Sequence, residues 1–147
     1  MKAQGSIEIA VLPERIWPYL VKPELVLLWS STYKKYEYAG EQQEGVGTKY
    51  YLEEQAGGPL MKITFEVKEW ESYKKLYLKM ISGSGVNDYH QMYTLEQTPT
   101  GSKLNFVEMV EMPMGFLGKL IGLLAEPMSV KTITKIQLKL KGLVEAK

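Results

Sequence analysis

A chain of 147 residues with 18 Lys+Arg against 17 Asp+Glu carries a formal charge of +1, which gives no electrostatic reason to expect a nucleic-acid partner. The absence of cysteine excludes a disulfide frame and thiolate metal sites, and a single histidine excludes a multi-histidine metal centre. The length suits one domain, residues 1–147, able to bury roughly 70% of its unfolded surface.

Neither a metal nor an organic cofactor is therefore expected. The longest apolar stretch, Met114 to Ala125, is shorter than the ~20 residues of a membrane span. Near the N-terminus, the run from Ile7 to Leu12 is short and interrupted by Glu8, unlike a secretory signal. The expected location is cytoplasmic, without stable membrane insertion.

Residues 4 to 12 place Ile7, Ile9 and Val11 on one face, the period of a half-buried strand. Pro13 suits the first turn of a helix and Glu14 favours its N-terminal end. That helix is predicted to end at Leu20, because Pro18 and Pro23 punctuate it, and a second short helix to run from Pro23 to Trp29. From Tyr33 to Val110 the chain reads as strands separated by turn signals at Gly40, Gly45 to Gly47, Gly57 to Pro59, Ser82 to Gly85 and Pro99 to Gly101. Short turns imply antiparallel neighbours. Ile63, Phe65 and Val67 alternate with Lys62, Thr64, Glu66 and Lys68, and Leu76, Leu78 and Met80 alternate with Lys75, Tyr77 and Lys79, so the sheet has one apolar face.

The remaining segment, Pro113 to Lys147, has to cover that face. Met114 to Ala125 is apolar almost all round and is expected to need cover on most sides. Gly115, Gly118 and Gly122 form a thin face there, suited to a soft lid with transient membrane contact, or to close packing on the sheet or on a second copy, so monomer and homodimer both stay open. Pro127 predicts a kink or short break near Glu126. Beyond it, Val130, Ile133, Ile136, Leu140, Leu143 and Val144 fall in one apolar arc opposite Lys131, Lys135 and Lys139, with Gln137 at its edge. The fold class is α+β: a curved antiparallel sheet wrapped around a long C-terminal helix, with two short helices after the first strand.

A leading strand, Pro-Glu-Arg-Ile-Trp at 13–17, Lys-Pro-Glu-Leu at 22–25 and then Trp29 open a recognisable series. Val-Gly-Thr at 46–48, Tyr-Thr-Leu-Glu-Gln at 93–97 before a Gly turn, and Leu-Lys-Gly-Leu-Val-Glu at 140–145 complete it. In this order the sequence resembles the START-related helix-grip superfamily, which includes polyketide cyclase/dehydrase and lipid-transport proteins, plant pathogenesis-related ligand binders and coenzyme Q-binding proteins. The resemblance implies seven strands gripping the C-terminal helix around a hydrophobic cavity.

For such a cavity the expected lining is Trp29 from the second helix; Tyr50, Phe65, Leu78, Met80, Tyr89, Gln91, Tyr93 and Phe106 from the sheet; and Leu124, Met128 and Ile136 from the long helix. Aromatic residues offer apolar area with a polar handle, which suits gripping a mostly apolar ligand at a few points. Glu108 shares a face with Leu104, Phe106 and Val110. An unpaired buried carboxylate is costly, so a bulge or a solvated strand end is the expected arrangement, while an inward Glu108 would be the best acid/base or hydrogen-bonding group. His90 and Asp88 lie two residues apart on the face opposite Tyr89, Gln91, Tyr93 and Leu95, so His90 is expected outside, where it is a weak catalytic candidate. Three functions remain open: a carrier of a small hydrophobic molecule such as a fatty acid, isoprenoid, quinone or polyketide-like compound; a cyclase or dehydratase acting on a similar ligand; and an interaction module whose cavity is filled by side chains. Arginine-assisted catalysis is disfavoured, because Arg15 is the sole arginine and sits on an N-terminal helix.

Overall fold

The computed structural model describes residues 1–146. Strand β1 (Lys2–Ile9) leads into helices α1 (Pro13–Val21) and α2 (Pro23–Trp29). Six strands follow: β2 (Tyr33–Tyr38), β3 (Lys49–Glu54), β4 (Met61–Glu71), β5 (Lys75–Gly83), β6 (Asp88–Thr98) and β7 (Gly101–Glu111). Helix α3 (Gly115–Glu145) follows β7. The strands form one seven-stranded sheet in the order β1-β7-β6-β5-β4-β3-β2. Every neighbouring pair is antiparallel. Strands β2 to β7 are a meander, and only β1 crosses over, to pair with β7.

Strand alternation fixes what faces inward. In β6, Tyr89, Gln91, Tyr93 and Leu95 are buried while Asp88, His90, Met92 and Thr94 between them are half-exposed. The β6–β7 register runs without a slip from Asp88↔Glu111 to Thr98↔Gly101. At the turn between them a side chain on Gly101 would lie 2.2 Å from the carbonyl oxygen of Ile9, and its φ is 152°, so only glycine fits.

Helices α1 and α2 close one end of the curled sheet. Ile16, Leu20 and Val26 are buried, Trp17 meets Trp70 edge-on at 5.4 Å, and the Tyr50 hydroxyl donates to the carbonyl of Val21 at 2.7 Å. The second half of α3 is fastened to β1. Ile133, Ile136, Leu140 and Val144 face the sheet, each buried side chain of this kind contributing about 1.5–3 kcal/mol. Gln137 is buried with them because its Nε2 donates to the Gly5 carbonyl at 3.1 Å. Arg15 donates to the carbonyl of Val144 at 3.4 Å, so the sole arginine pins α1 to the end of α3.

Three expectations for the C-terminal segment need correction. The short break near Glu126 is absent, since helix α3 runs through Pro127 as one element. The ring removes one hydrogen bond, leaving the carbonyl of Leu123, and Leu123 is exposed, where water can satisfy it. The apolar first half is not covered: Phe116 is 83% and Leu124 76% exposed, with Leu117, Leu120, Ile121 and Leu123 also at the surface. Of its three glycines Gly118 and Gly122 are buried, Gly118 against backbone and Gly122 against the side chains of Met1 and Met112, while Gly115 is exposed. A Cβ on Gly118 would lie 1.9 Å from the carbonyl oxygen of Pro113, and one on Gly122 would lie 3.3 Å from Cβ of Met1. Val130, placed in the buried arc, is 40% exposed. No helix among the described residues is long and apolar enough to cross a membrane.

Candidate ligand-binding site

The concave face of the sheet and the middle of α3 do not meet completely, and a cavity of about 240 Å³ lies between them. Its walls are Tyr33 of β2, Glu54 of β3, Tyr89, Gln91 and Tyr93 of β6, Phe106, Glu108 and Val110 of β7, and Met128, Ser129, Thr132, Ile133 and Ile136 of α3. Exposed Gly58 and Pro59 of the β3–β4 loop, Gly85 of the β5–β6 loop and Met128 form its rim.

On the sheet side of this space, Thr32, Tyr33, Glu54, Tyr89, Gln91, Tyr93 and Glu108 form one connected polar cluster. The Tyr89 hydroxyl lies 3.0 Å from Glu54 Oε1 and in a shorter contact with Glu108 Oε1. Thr32 Oγ1 donates to Glu54 Oε2 at 3.0 Å. Gln91 Nε2 donates to the hydroxyls of Tyr33 at 2.8 Å and Tyr89 at 3.1 Å, and Tyr93 donates to Gln91 Oε1 at 3.5 Å. Glu108 Oε2 has no hydrogen-bond partner among the described residues, and Glu108 borders the cavity.

Proton counting explains how two acids tolerate this place. A phenol has one proton and donates to one carboxylate at a time. The other contact is satisfied when the second carboxyl is protonated and donates to the phenol oxygen, so the geometry favours one proton held by the pair. Desolvation acts in the same direction. Burial, and then the charge of Glu108, push Glu54 up to about 7, and burial raises Glu108 as well. Burial also raises Tyr33 and Tyr89 well above the ordinary phenol range, so both remain neutral hydroxyls.

Of the residues expected at the site, Tyr89, Gln91, Tyr93, Phe106, Glu108, Met128 and Ile136 border the cavity. The bulge expected to carry Glu108 to water is absent, since the β6–β7 ladder is regular and its carboxyl turns inward. Tyr50, Phe65 and Leu78 are buried on the inward face but lie in the solid core, where α1 and α2 fill the concavity. Phe65 nonetheless supports the site from behind, meeting the Tyr89 ring edge-on at 5.1 Å. Trp29 is likewise core: its Nε1 donates to the Tyr19 carbonyl at 2.8 Å and its ring backs Tyr93 at 6.4 Å. Met80 is half-buried against the core beside a register shift in the β4–β5 ladder, outside the cavity wall. Leu124 points to solvent, because the glycine face of α3 is the one turned to the protein.

Sequence reasoning missed Glu54 and Tyr33. The signal for Glu54 was parity: Tyr50, Leu52 and Glu54 alternate along β3 with an inward burial pattern. His90 lies on the outer face as expected. Its Nε2 meets Asp88 Oδ2 at 2.7 Å and its Nδ1 meets the Tyr77 hydroxyl at 2.5 Å, the two rings stacking. It edges a shallower groove with Lys2, Lys119 and Glu126, which shares Met1, Val110 and Met112 with the cavity wall. No cluster of metal-ligating side chains occurs among the described residues.

The sequence profile of the polyketide cyclase/dehydrase and lipid transport family matches residues 1–145. The chain belongs to that family. Its fold is shared with solved structures across nearly the whole of each chain. A protein from Thermus thermophilus superposes with a TM-score of 0.83 at 16% identity, covering 99% of this chain and 98% of that one. A START superfamily protein from Mycobacterium smegmatis gives 0.79 at 15% identity, covering 99% and 97%. A Staphylococcus aureus protein of unknown function gives 0.72 at 15% identity, covering 99% and 94%. A comparison with curated proteins returns no match. For a polyketide cyclase/dehydrase and lipid transport family member, the walls described above are where a hydrophobic ligand or substrate has room.

Proposed function

We propose that the protein binds a small, predominantly apolar molecule in the cavity between the sheet and α3, as a carrier or sequestering protein. The observation that carries this reading is the unfilled space of about 240 Å³, walled largely by aromatic and aliphatic side chains, with a polar cluster around Tyr89 on its sheet side. Its size is below the roughly 300–1,000 Å³ of pockets for drug-sized ligands, which suits a compact guest or the head of a longer one. Open space also speaks against an interaction module with a side-chain-filled interior. The test is solvent extraction and mass spectrometry of protein purified from its own host. A stoichiometric apolar compound, absent from a Tyr93→Glu variant that keeps its fold, is the expected result.

A second reading, an enzyme of the cyclase or dehydratase type, is favoured by one observation. Glu54 and Glu108 place a proton held near neutrality beside the space a substrate would fill, as general acid–base chemistry requires. Turnover of a candidate polyketide-like substrate that survives unchanged in both Glu54→Gln and Glu108→Gln would remove the pair from any such mechanism.

A further inference from the structure

The contents of the cavity wall are lopsided in charge. Two carboxyl groups border it, and no lysine, arginine or histidine does so among the described residues. The one ammonium on a lining residue, that of Met1, donates to the Val110 carbonyl at 2.8 Å rather than to an acid. Glu54 is fully engaged, with Thr32 on one oxygen and Tyr89 on the other. Glu108 is not: Oε1 is held by Tyr89, while Oε2 has no protein partner among the described residues and the half-buried Glu108 borders the empty space. No buried side-chain oxygen or nitrogen lacks a partner among the described residues, so Oε2 is accessible at the cavity wall, where a guest has a free acceptor to donate to. The rings of Tyr33, Tyr93 and Phe106 stand around the same space. Aromatic faces attract cations and tolerate hydrocarbon.

On the reading that this cavity holds an apolar guest, we infer that the guest is a lipophilic amine, its hydrocarbon part against α3 and its ammonium on Glu108 Oε2. The ammonium provides the donor that the free oxygen lacks and offsets the charge of a carboxylate pair that has no ion-pair partner among the described residues. A fatty-acid anion meets the opposite situation, since its carboxylate would face Glu54 and Glu108 with only hydroxyl and amide donors to soften the repulsion. A neutral alcohol supplies a donor but no compensating charge, and charge-assisted hydrogen bonds are roughly twice as strong as neutral ones.

The experiment compares octylamine, octanol and octanoate, matched in chain length, by isothermal titration calorimetry at about pH 7, where the amine is protonated and the acid ionised. Competition between each pair of ligands verifies that they share one site. Octylamine is expected to bind at least roughly tenfold more tightly than octanol, with octanoate weakest. In Glu108→Gln, which keeps the shape of the side chain, the amine-to-alcohol affinity ratio is expected to fall roughly tenfold. Should that variant not fold, Glu54→Gln is the second, and a fall in the same ratio is expected. Octanol or octanoate matching octylamine, or a ratio unchanged in a folded variant, overturns the amine assignment while leaving the cavity as an apolar binding site. Saturable binding by none of the three overturns the cavity reading itself, and the amine assignment with it.

Discussion

Glu54 and Glu108 belong to strands separated by three others in the sheet, yet both reach the hydroxyl of Tyr89. The curl of the sheet brings β3 opposite β7, and Tyr89 on β6 is long enough to touch both. The contact therefore reports the closure of the sheet and the protonation of the cavity together.

The first consequence is a dependence of stability on pH. Glu54 has an ordinary value of 4.5 and a folded value of about 7, so the folded state holds its proton more tightly than the unfolded state. The associated stability is fully present below the unfolded value and is lost as pH rises through the folded one. The loss is roughly 3 kcal/mol at most. Urea denaturation midpoints are expected to fall between about pH 5 and about pH 8, and Glu54→Gln is expected to flatten that trend. A midpoint in the variant that falls as steeply as in the wild type would place the titration elsewhere.

Removing the bridge tests the same cluster from its centre. Tyr89→Phe keeps the ring that packs edge-on against Phe65 but deletes the hydroxyl shared by the two acids. Leaving buried polar groups without a partner costs about 1–3 kcal/mol each. The variant is expected to lose stability of that order at neutral pH and less in acid, measured by denaturant unfolding. A loss of the same size at both pH values would indicate packing alone.

Glycines on α3 make opposite predictions according to what faces them. At Gly118 a methyl group would strike the Pro113 carbonyl, whereas nothing lies within 4 Å of a Cβ at Gly142. Gly118→Ala is expected to destabilise by about 1–3 kcal/mol despite the better helix propensity of alanine. Gly142→Ala should stabilise by up to about 1 kcal/mol. Thermal unfolding of the two variants side by side checks both signs.

The two halves of α3 should also differ in sensitivity. Phe116→Ser alters a side chain that is 83% exposed and is expected to change stability by less than about 0.5 kcal/mol. Leu140→Ala removes a fully buried contact with the sheet and is expected to cost about 2–5 kcal/mol. Similar losses in the two would mean that the first half of the helix is covered.

Much of this architecture was legible in the sequence because it rests on period. Alternation in Ile63 to Val67, Leu76 to Met80 and Tyr89 to Leu95 correctly marks the inward face, and the spacing of Ile133, Ile136, Leu140 and Val144 marks the buried side of α3. Period cannot tell an inward residue in the solid core from one that meets empty space. Tyr50 and Tyr93 obey the same alternation, but α1 packs over Tyr50, its hydroxyl bound by Val21, and nothing fills the space before Tyr93. Glu54 was hidden because Glu53 beside it makes the end of β3 look like a solvated charge run. Met114 to Ala125 misled in the other direction, since apolar composition alone does not show which face a helix turns to the protein; the close approach of Gly118 to Pro113 does that.

Ligand binding requires a guest to enter the space between the sheet and α3, and a methyl-resolved NMR titration with octanol tests that most directly. Saturable shifts are expected at Val110, Met128, Ile133 and Ile136, which border the cavity, with none at Leu52, Val67 or Leu76 in the solid core. Shifts confined to the exposed Leu117, Leu123 and Leu124, or shifts that never saturate, would contradict it.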